Sequence, residues 1–525
     1  MAHPHDEDQI AGAFGTIPSG DAGRRRGLRA RLLTLLAIIG PGLIVMVGDN
    51  DAGGVTTYAQ AGQNYGYTLL WTLPLLIPVL LVNQEMVARL GAVSGLGHGR
   101  LLRERLGRRW GNVSAGSILL LNFLILVTEF IGVSQSLEYL GVRPWISVPV
   151  ACLALFAVTA SGSFARWERF MMLFVAINFV TVPLVLLAHP HLGSLVSHAV
   201  SPGVRGGANS SSVLLIISII GTTVAPWQLY FQQSNIVDKK ITPRWLNYER
   251  IDTLLGSLIV VIGAGALIGV TASGLSTHGG TSAYVDALHV ARGLARYVGH
   301  GTGTLFAILL LNASIIGAAA VTLASTYVVG DLTGSRAGLN SRLRDAKGFF
   351  GAFGGLLLLA GVVTLIPSAP LGLITMAVQA MCGLMLPSTT IFVLLLANDR
   401  DVLGPWTNTK WMNAAASVIV SILVVLSITM MVSTLLPSVP VLRLLEVLAA
   451  IAVAGLAVGV PLGWRRTAAR EDYDVAKEDW RMPRGALLTP LPLGGLQRWL
   501  LRAVGSYLAV AGTLLVVRIA QLWGH

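Results

Sequence analysis

Apolar stretches long enough to cross a bilayer follow one another from about residue 33 to residue 463. Backbone amides and carbonyls find no water in hydrocarbon, so a chain built this way must fold as helices packed together in the membrane. Candidate spans lie at about 33–62, 67–91, 113–137, 146–163, 170–189, 212–237, 252–273, 303–331, 349–367, 370–397, 411–436 and 440–463. A last stretch, 499–521, is flanked by Arg498 and interrupted by Arg502 and Arg518; it reads as a thirteenth span or an interfacial helix, with a span preferred. Composition agrees: 54% of the chain is hydrophobic and 12% charged, about half the charge of a soluble domain.

The net charge of +12 would suggest nucleic acid in a soluble protein. Here it is distributed as a topology signal. Arg100, Arg103, Arg105, Arg108 and Arg109 follow span 2, Arg166 and Arg169 follow span 4, and Lys239, Lys240, Arg244 and Arg250 follow span 6. Arg336, Arg342, Arg344 and Lys347 follow span 8, and Arg465, Arg466, Arg470 and Lys477 follow span 12, whereas the alternate connections are nearly bare. By the positive-inside rule the N-terminus is cytoplasmic, which places the chain in the cell (inner) membrane with no nucleic-acid partner. Three regions follow: a polar cytoplasmic tail at 1–31 that lacks signal-peptide features, one transporter domain at 32–463, and a cytoplasmic connection with a possible extra span at 464–525. In the 274–302 connection, Ser282 to Leu288 predicts an amphipathic helix on the outer surface. Cys152 and Cys382 lie in apolar segments as small core residues.

Against this background Gly48-Asp49-Asn50-Asp51-Ala52-Gly53-Gly54 stands out in span 1. A carboxylate at mid-membrane costs roughly 2.5–3.5 kcal/mol to insert, and glycines weaken the helix beside it. The segment therefore predicts a broken helix, its freed backbone groups and acidic side chains lining a polar cation pocket. Span 6 is interrupted similarly, at Gly221-Thr222-Thr223-Val224-Ala225-Pro226-Trp227-Gln228. Paired breaks five spans apart point to a transporter of two inverted five-helix repeats, its substrate held between spans 1 and 6. The fold class is thus an all-α polytopic membrane protein with broken helices 1 and 6 and 12–13 spans.

These residues carry a family resemblance. Asp51 to Gly62, with Tyr65-Gly66-Tyr67 after it, resembles the span-1 signature of the NRAMP divalent-metal transporters, Asp-Pro-Gly-Asn followed by Gln-Ala-Gly and Phe/Tyr-Gly-Tyr. Val224 to Tyr230 resembles that family's span-6 Val-Met-Pro-His-Asn-Leu-Tyr. Arg89-Leu90-Gly91, Glu129-Phe130-Ile131-Gly132 and Gln379 eight residues before Pro387 also match. The resemblance implies metal ligands at Asp51 and Gln379 and backbone carbonyls at Gly48 and Thr222.

The departures alter the expected chemistry. The family asparagine is Gly54, the metal-binding methionine is Ala225, the histidine implicated in proton movement is Trp227, and the aspartate three residues before Glu129 is Leu126. Asp49 and Asn50 add oxygen donors where the family usually has apolar residues. A thioether favours softer metals, whereas oxygen ligands suit Mg²⁺, Ca²⁺ or Mn²⁺, and Mg²⁺ keeps several waters and needs room. The pattern is most similar to the NRAMP-related magnesium transporter branch. It implies Mg²⁺ and/or Mn²⁺ import by alternating access with weak or no proton coupling.

Individual positions keep a second reading. Asp49 or Asn50 could cap the second half-helix; Gln379 could be interhelical glue; Glu129 could line an ion path or pair with Asn122; Trp227 could close a vacated proton route or simply pack. Competing functions are a proton-coupled Mn²⁺/Fe²⁺ importer and an amino-acid or amine transporter on the same architecture. No metalloprotease helix, nucleophile elbow or Cys/His cluster marks an enzyme. The expected partners are the transported ion and the bilayer, with no cofactor and no obligate protein partner.

Overall fold

Pro41 opens a seven-residue helix directly after Gly40, whose φ of 152° only glycine adopts readily. The first apolar segment therefore breaks twice, at Ile39–Gly40 as well as in the acidic motif. The computed structural model describes residues 9–18, 27–276, 284–334, 338–367, 369–436, 438–466, 475–483, 491 and 494–523. Its elements in order are strands β1 Gln9–Gly12 and β2 Gly15–Pro18, then helices α1 Leu28–Ile38, α2 Pro41–Val47, α3 Ala52–Tyr65, α4 Thr72–Ser94, α5 His98–Leu106, α6 Arg108–Tyr139, α7 Pro144–Thr159, α8 Phe164–Ile177, α9 Thr181–Ala188, α10 Leu192–Val200, α11 Ser210–Thr223 and α12 Pro226–Asp238. There follow α13 Leu246–Gly274, α14 Ala287–Tyr297, α15 His300–Thr333, α16 Lys347–Thr364, α17 Leu371–Ala397, α18 Arg400–Leu403, α19 Lys410–Leu435, α20 Val441–Arg466 and α21 Gly495–Trp523.

Each of the twelve predicted segments holds helix. Among the described residues ten helices are long and apolar enough to cross a membrane, or eleven if α1 and α2, bent by 58°, count as one. The number is lower than the expected 12–13 partly because α7 has only 16 residues. The first repeat comprises α2/α3, α4, α6, α7 and α8/α9; the second comprises α11/α12, α13, α15, α16 and α17. After five crossings the chain re-enters from the opposite side, which inverts the second repeat. At the centre α15 runs along α6, and Gly317 on α15 permits a close approach to the acidic motif. A β-carbon there would stand 2.5 Å from Glu129 Oε2 and 2.9 Å from the Asp51 β-carbon. Small residues let helices meet closely where lipid supplies no hydrophobic drive.

Three peripheral features depart from the sequence expectation. The tail at 1–31 contains an antiparallel hairpin in which Ile10 pairs with Ile17, and both are buried; residues 1–8 and 19–26 lie outside the described residues. The amphipathic helix of the 274–302 connection, α14, starts at Ala287 because Asp286 caps it through the His289 amide, and Ser282 and Ala283 lie outside the described residues. Residues 475–483 lie across several span ends. The Met482 amide donates to the Val93 carbonyl at 3.2 Å, Asp479 pairs with Arg244 at 2.5 Å, and Trp406 Nε1 donates to the Lys477 carbonyl at 2.7 Å.

Candidate metal centre

The broken helices meet through their loose ends. An α-helix leaves its first amides and last carbonyls without internal partners. At the end of α2 the carbonyls of Ile44, Met46 and Val47 accept from the amides of Gly48, Asp49 and Asn50, which winds the chain tightly through the acidic motif. Asp51 then adopts an extended backbone and caps α3, its Oδ1 accepting from the Gly54 amide at 2.7 Å. Capping therefore falls to Asp51 and not to Asp49 or Asn50. In the second repeat, proline disfavours helical backbone in the residue before it. Ala225 accordingly is extended (φ −73°, ψ 143°), and Pro226 sits at the first turn of α12, a helix start rather than a kink.

Asp49 is fully buried, and neither of its oxygens has a hydrogen-bond partner of good geometry, although the Ala225 amide and Gln228 side chain lie nearby. Asp51 and Tyr58 are its other polar neighbours. The Thr222 hydroxyl is buried and unpartnered, 3.3 Å from where a β-carbon on Gly54 would be. Gln379 of α17 reaches the first turn of α3 and fills the space beside Gly53, and its amide nitrogen is also unpartnered. From α6, Glu129 Oε2 accepts from the Ala52 amide at 3.1 Å, next to Asp51. Asn122, the alternative partner considered for Glu129, instead donates to Ser325 at 3.0 Å.

Asp49, Asp51, Gly54, Thr222, Ala225, Gln379 and Glu129 thus share one buried corner. Asn50 points elsewhere: its side-chain nitrogen donates to the Val260 carbonyl on α13 at 3.3 Å, leaving only Oδ1 unpartnered. Gly48 ends α2, and Trp227, fully buried with an unpartnered indole N–H, stands 3.5 Å from where a β-carbon on Gly48 would be. It packs edge-on against Phe231 at 5.8 Å.

Sequence reading missed the residues that hold this corner in place. Tyr58 Oη lies 2.7 Å from Thr223 Oγ1, joining the two broken spans. Gln84 donates to Gln228 at 2.9 Å. Tyr58 follows Asp51 by two helical turns, a spacing that could have shown it on the same face. Gln84 carried no such signal, because its partner is 144 residues away.

Chemically, a buried carboxylate without donors costs several kcal/mol. A cation among Asp49, Asp51 and the Thr222 hydroxyl would offset that cost. Among the described residues no three His, Cys, Asp or Glu side chains converge into a cage, so amide, hydroxyl, carbonyl or water oxygens would have to complete the shell. Hard cations that retain water accept such a shell.

Comparison with known proteins agrees with the geometry. Residues 42–433 match the Nramp family, described as natural resistance-associated macrophage protein-like. A divalent metal cation transporter MntH of Staphylococcus aureus is 26% identical over 430 residues, covering 76% of this chain and 91% of that protein. The MntH of Aeromonas hydrophila is 26% identical over 420 residues, covering 76% and 96%. A crystal structure of the Eremococcus coleocola manganese transporter superposes with a TM-score of 0.60 at 19% identity, covering 86% of this chain and 98% of that one, and so shares the fold. The chain, a largely helical protein of inverted repeats whose first and sixth spans break around one acidic corner, belongs to the Nramp family of membrane transporters.

Proposed function

We propose that this protein imports Mg²⁺ and/or Mn²⁺ across the cell membrane by alternating access. The observation that carries this reading is Asp49: two buried carboxylate oxygens beside Asp51 with no hydrogen bond of good geometry, and alanine, not methionine, at 225. The donors are all oxygen, which favours hard cations over the softer transition metals a thioether selects. Ala225 also leaves room for an ion that keeps part of its hydration shell. The named relatives, which transport manganese or divalent metals, support the broader class.

On this reading the N-terminus is cytoplasmic, which the arginine and lysine distribution supports. The inside-negative potential then drives uptake, contributing about 4.6 kcal/mol per 100 mV for a divalent ion. Residues 32–463 are then the transporting unit; α21, which is not among the ten helices of the described residues long and apolar enough to cross, packs on α17. Its Tyr507 hydroxyl donates to the Leu384 carbonyl.

Purified protein in liposomes provides the test. Mg²⁺ uptake driven by an imposed potential, without lumen acidification, is expected. Mn²⁺ flux that acidifies the lumen, with no Mg²⁺ uptake, would instead support the second reading, a proton-coupled Mn²⁺/Fe²⁺ importer. One observation favours that alternative: the Glu129 carboxyl group lies beside Asp51 at the end of α3, where a proton could pass between the two.

A further inference from the structure

The elbow between α1 and α2 is held from both sides by buried charge. The last carbonyls of α1 and the first amides of α2 have no helical partners. Lys239, at the end of α12, donates to the carbonyls of Ile38 and Ile39 at 2.8 and 3.0 Å. Asp252 on α13 accepts from the amides of Gly40, Gly42 and Leu43 at 3.0, 2.8 and 3.1 Å. A cation thus sits at a helix C-terminus and an anion at a helix N-terminus, the arrangement the helix dipoles favour. Half-helix α2, whose far end carries Gly48 and the acidic motif, is fixed at its root.

The clamp extends to the N-terminal tail. Lys239 pairs with Glu168 of α8 at 2.6 Å, both side chains fully buried. The other oxygen of Glu168 accepts from the Ala13 amide at 2.5 Å, in the turn of the hairpin. Arg169 returns a hydrogen bond to the Ala13 carbonyl at 3.0 Å. Gly12 makes the approach possible, since a β-carbon there would overlap the Ala37 carbonyl and lie 3.2 Å from Lys239 Nζ. Ile10, Ala13 and Ile17 are buried by the seating. The hairpin therefore completes the hydrogen bonding of the carboxylate that orients Lys239, and it shields their ion pair from water.

We propose that the hairpin at 9–18 is a latch: seated on Glu168 and Ala37, it holds α2 closed over the Asp49–Asp51 corner, and its release opens the site to the N-terminal face. The inference rests on the transport reading above. Glu168, Lys239 and Asp252 act as positioning residues, none of them in the metal corner itself.

The test labels a cysteine on α2. Val45 is fully buried, so Val45→Cys, in a chain carrying Cys152→Ser and Cys382→Ser, reports α2 movement through its reaction with an impermeant maleimide applied to the face carrying the N-terminus. Gly12→Leu in the full chain, which presses on the Ala37 carbonyl and on Lys239 where the hairpin seats, should raise the labelling rate about fivefold or more. Ala13→Pro, which removes the amide donor to Glu168, should do the same. Mn²⁺ affinity in detergent should stay within about twofold of the parent, because the donor set is intact. Labelling at the parent rate in both variants would overturn the latch, as would a large loss of Mn²⁺ affinity with unchanged labelling. Faster labelling in the variants of a parent that moves neither Mg²⁺ nor Mn²⁺ would refute the proposed cargo and leave the latch standing.

Discussion

Gln379 occupies the space that a β-carbon would take at Gly53. The contact joins α17 to the first turn of α3 and brings an unpartnered amide nitrogen to the edge of the acidic corner. A side chain at residue 53 must displace Gln379. Gly53→Ala should therefore destabilise the protein by about 1–3 kcal/mol through overpacking. Adding Gln379→Ala should recover most of that loss. Thermal unfolding of the single and double variants in detergent checks both; a double variant no more stable than Gly53→Ala would show that the two residues do not meet.

Asp51 is both helix cap and candidate ligand, and two substitutions separate these roles. Asn caps as well as Asp, whereas Ala costs about 0.5–2 kcal/mol at such a position. Asp51→Asn should keep the unfolding temperature close to that of the parent yet abolish metal uptake. Asp51→Ala should lose both. Uptake by Asp51→Asn at the parental rate would remove the carboxylate from the ion's coordination.

Ala225→Met restores a soft donor at the residue preceding Pro226. Discrimination should move towards Mn²⁺ or Cd²⁺ relative to Mg²⁺ by about tenfold. Competition uptake in liposomes measures it, and unchanged selectivity would break the link between residue 225 and ligand softness.

His98 lies in the short helix α5 between two spans, buried, with Nδ1 at 2.7 Å from Gln233 Oε1 and its ring edge-on to Tyr230. Burial pushes its pKa down from 6.5 to about 4, partly opposed by the Gln233 hydrogen bond. A histidine whose folded pKa is depressed contributes stability that is complete above the unfolded value. That contribution is lost as pH falls from about 6.5 towards about 4 and amounts to about 3 kcal/mol at most. Unfolding temperature measured across that range should fall more steeply for the parent than for His98→Gln.

The sequence carried the architecture because the membrane makes it explicit: apolar length, the break at Pro226 and the acidic break at Asp51 are all local. It also carried the corner, since Asp49 and Asp51 are costly wherever they stand in an apolar segment. It did not carry the division of labour between Asp49, Asn50 and Asp51. That is decided by Val260 and by the Gly54 amide, one of them 210 residues distant from Asn50. The hairpin was hidden for a related reason. Residues 9–18 are too short and too mixed in polarity to signal strand, and their partners, Glu168 and Ala37, are contributed by other parts of the chain.

The two halves of the first span are unequal. With seven residues α2 is about 10 Å long, and α3, with fourteen, is about 21 Å long, against a hydrocarbon thickness of about 30 Å. With α1 lying outside the field and α2 starting at the membrane face, the acidic corner would lie about one third of the way through the field, counted from the N-terminal face. An ion arriving from the far side crosses about two thirds of the voltage before it binds and the remaining third as it leaves. Membrane potential should accordingly act more strongly on the loading of the site than on its emptying.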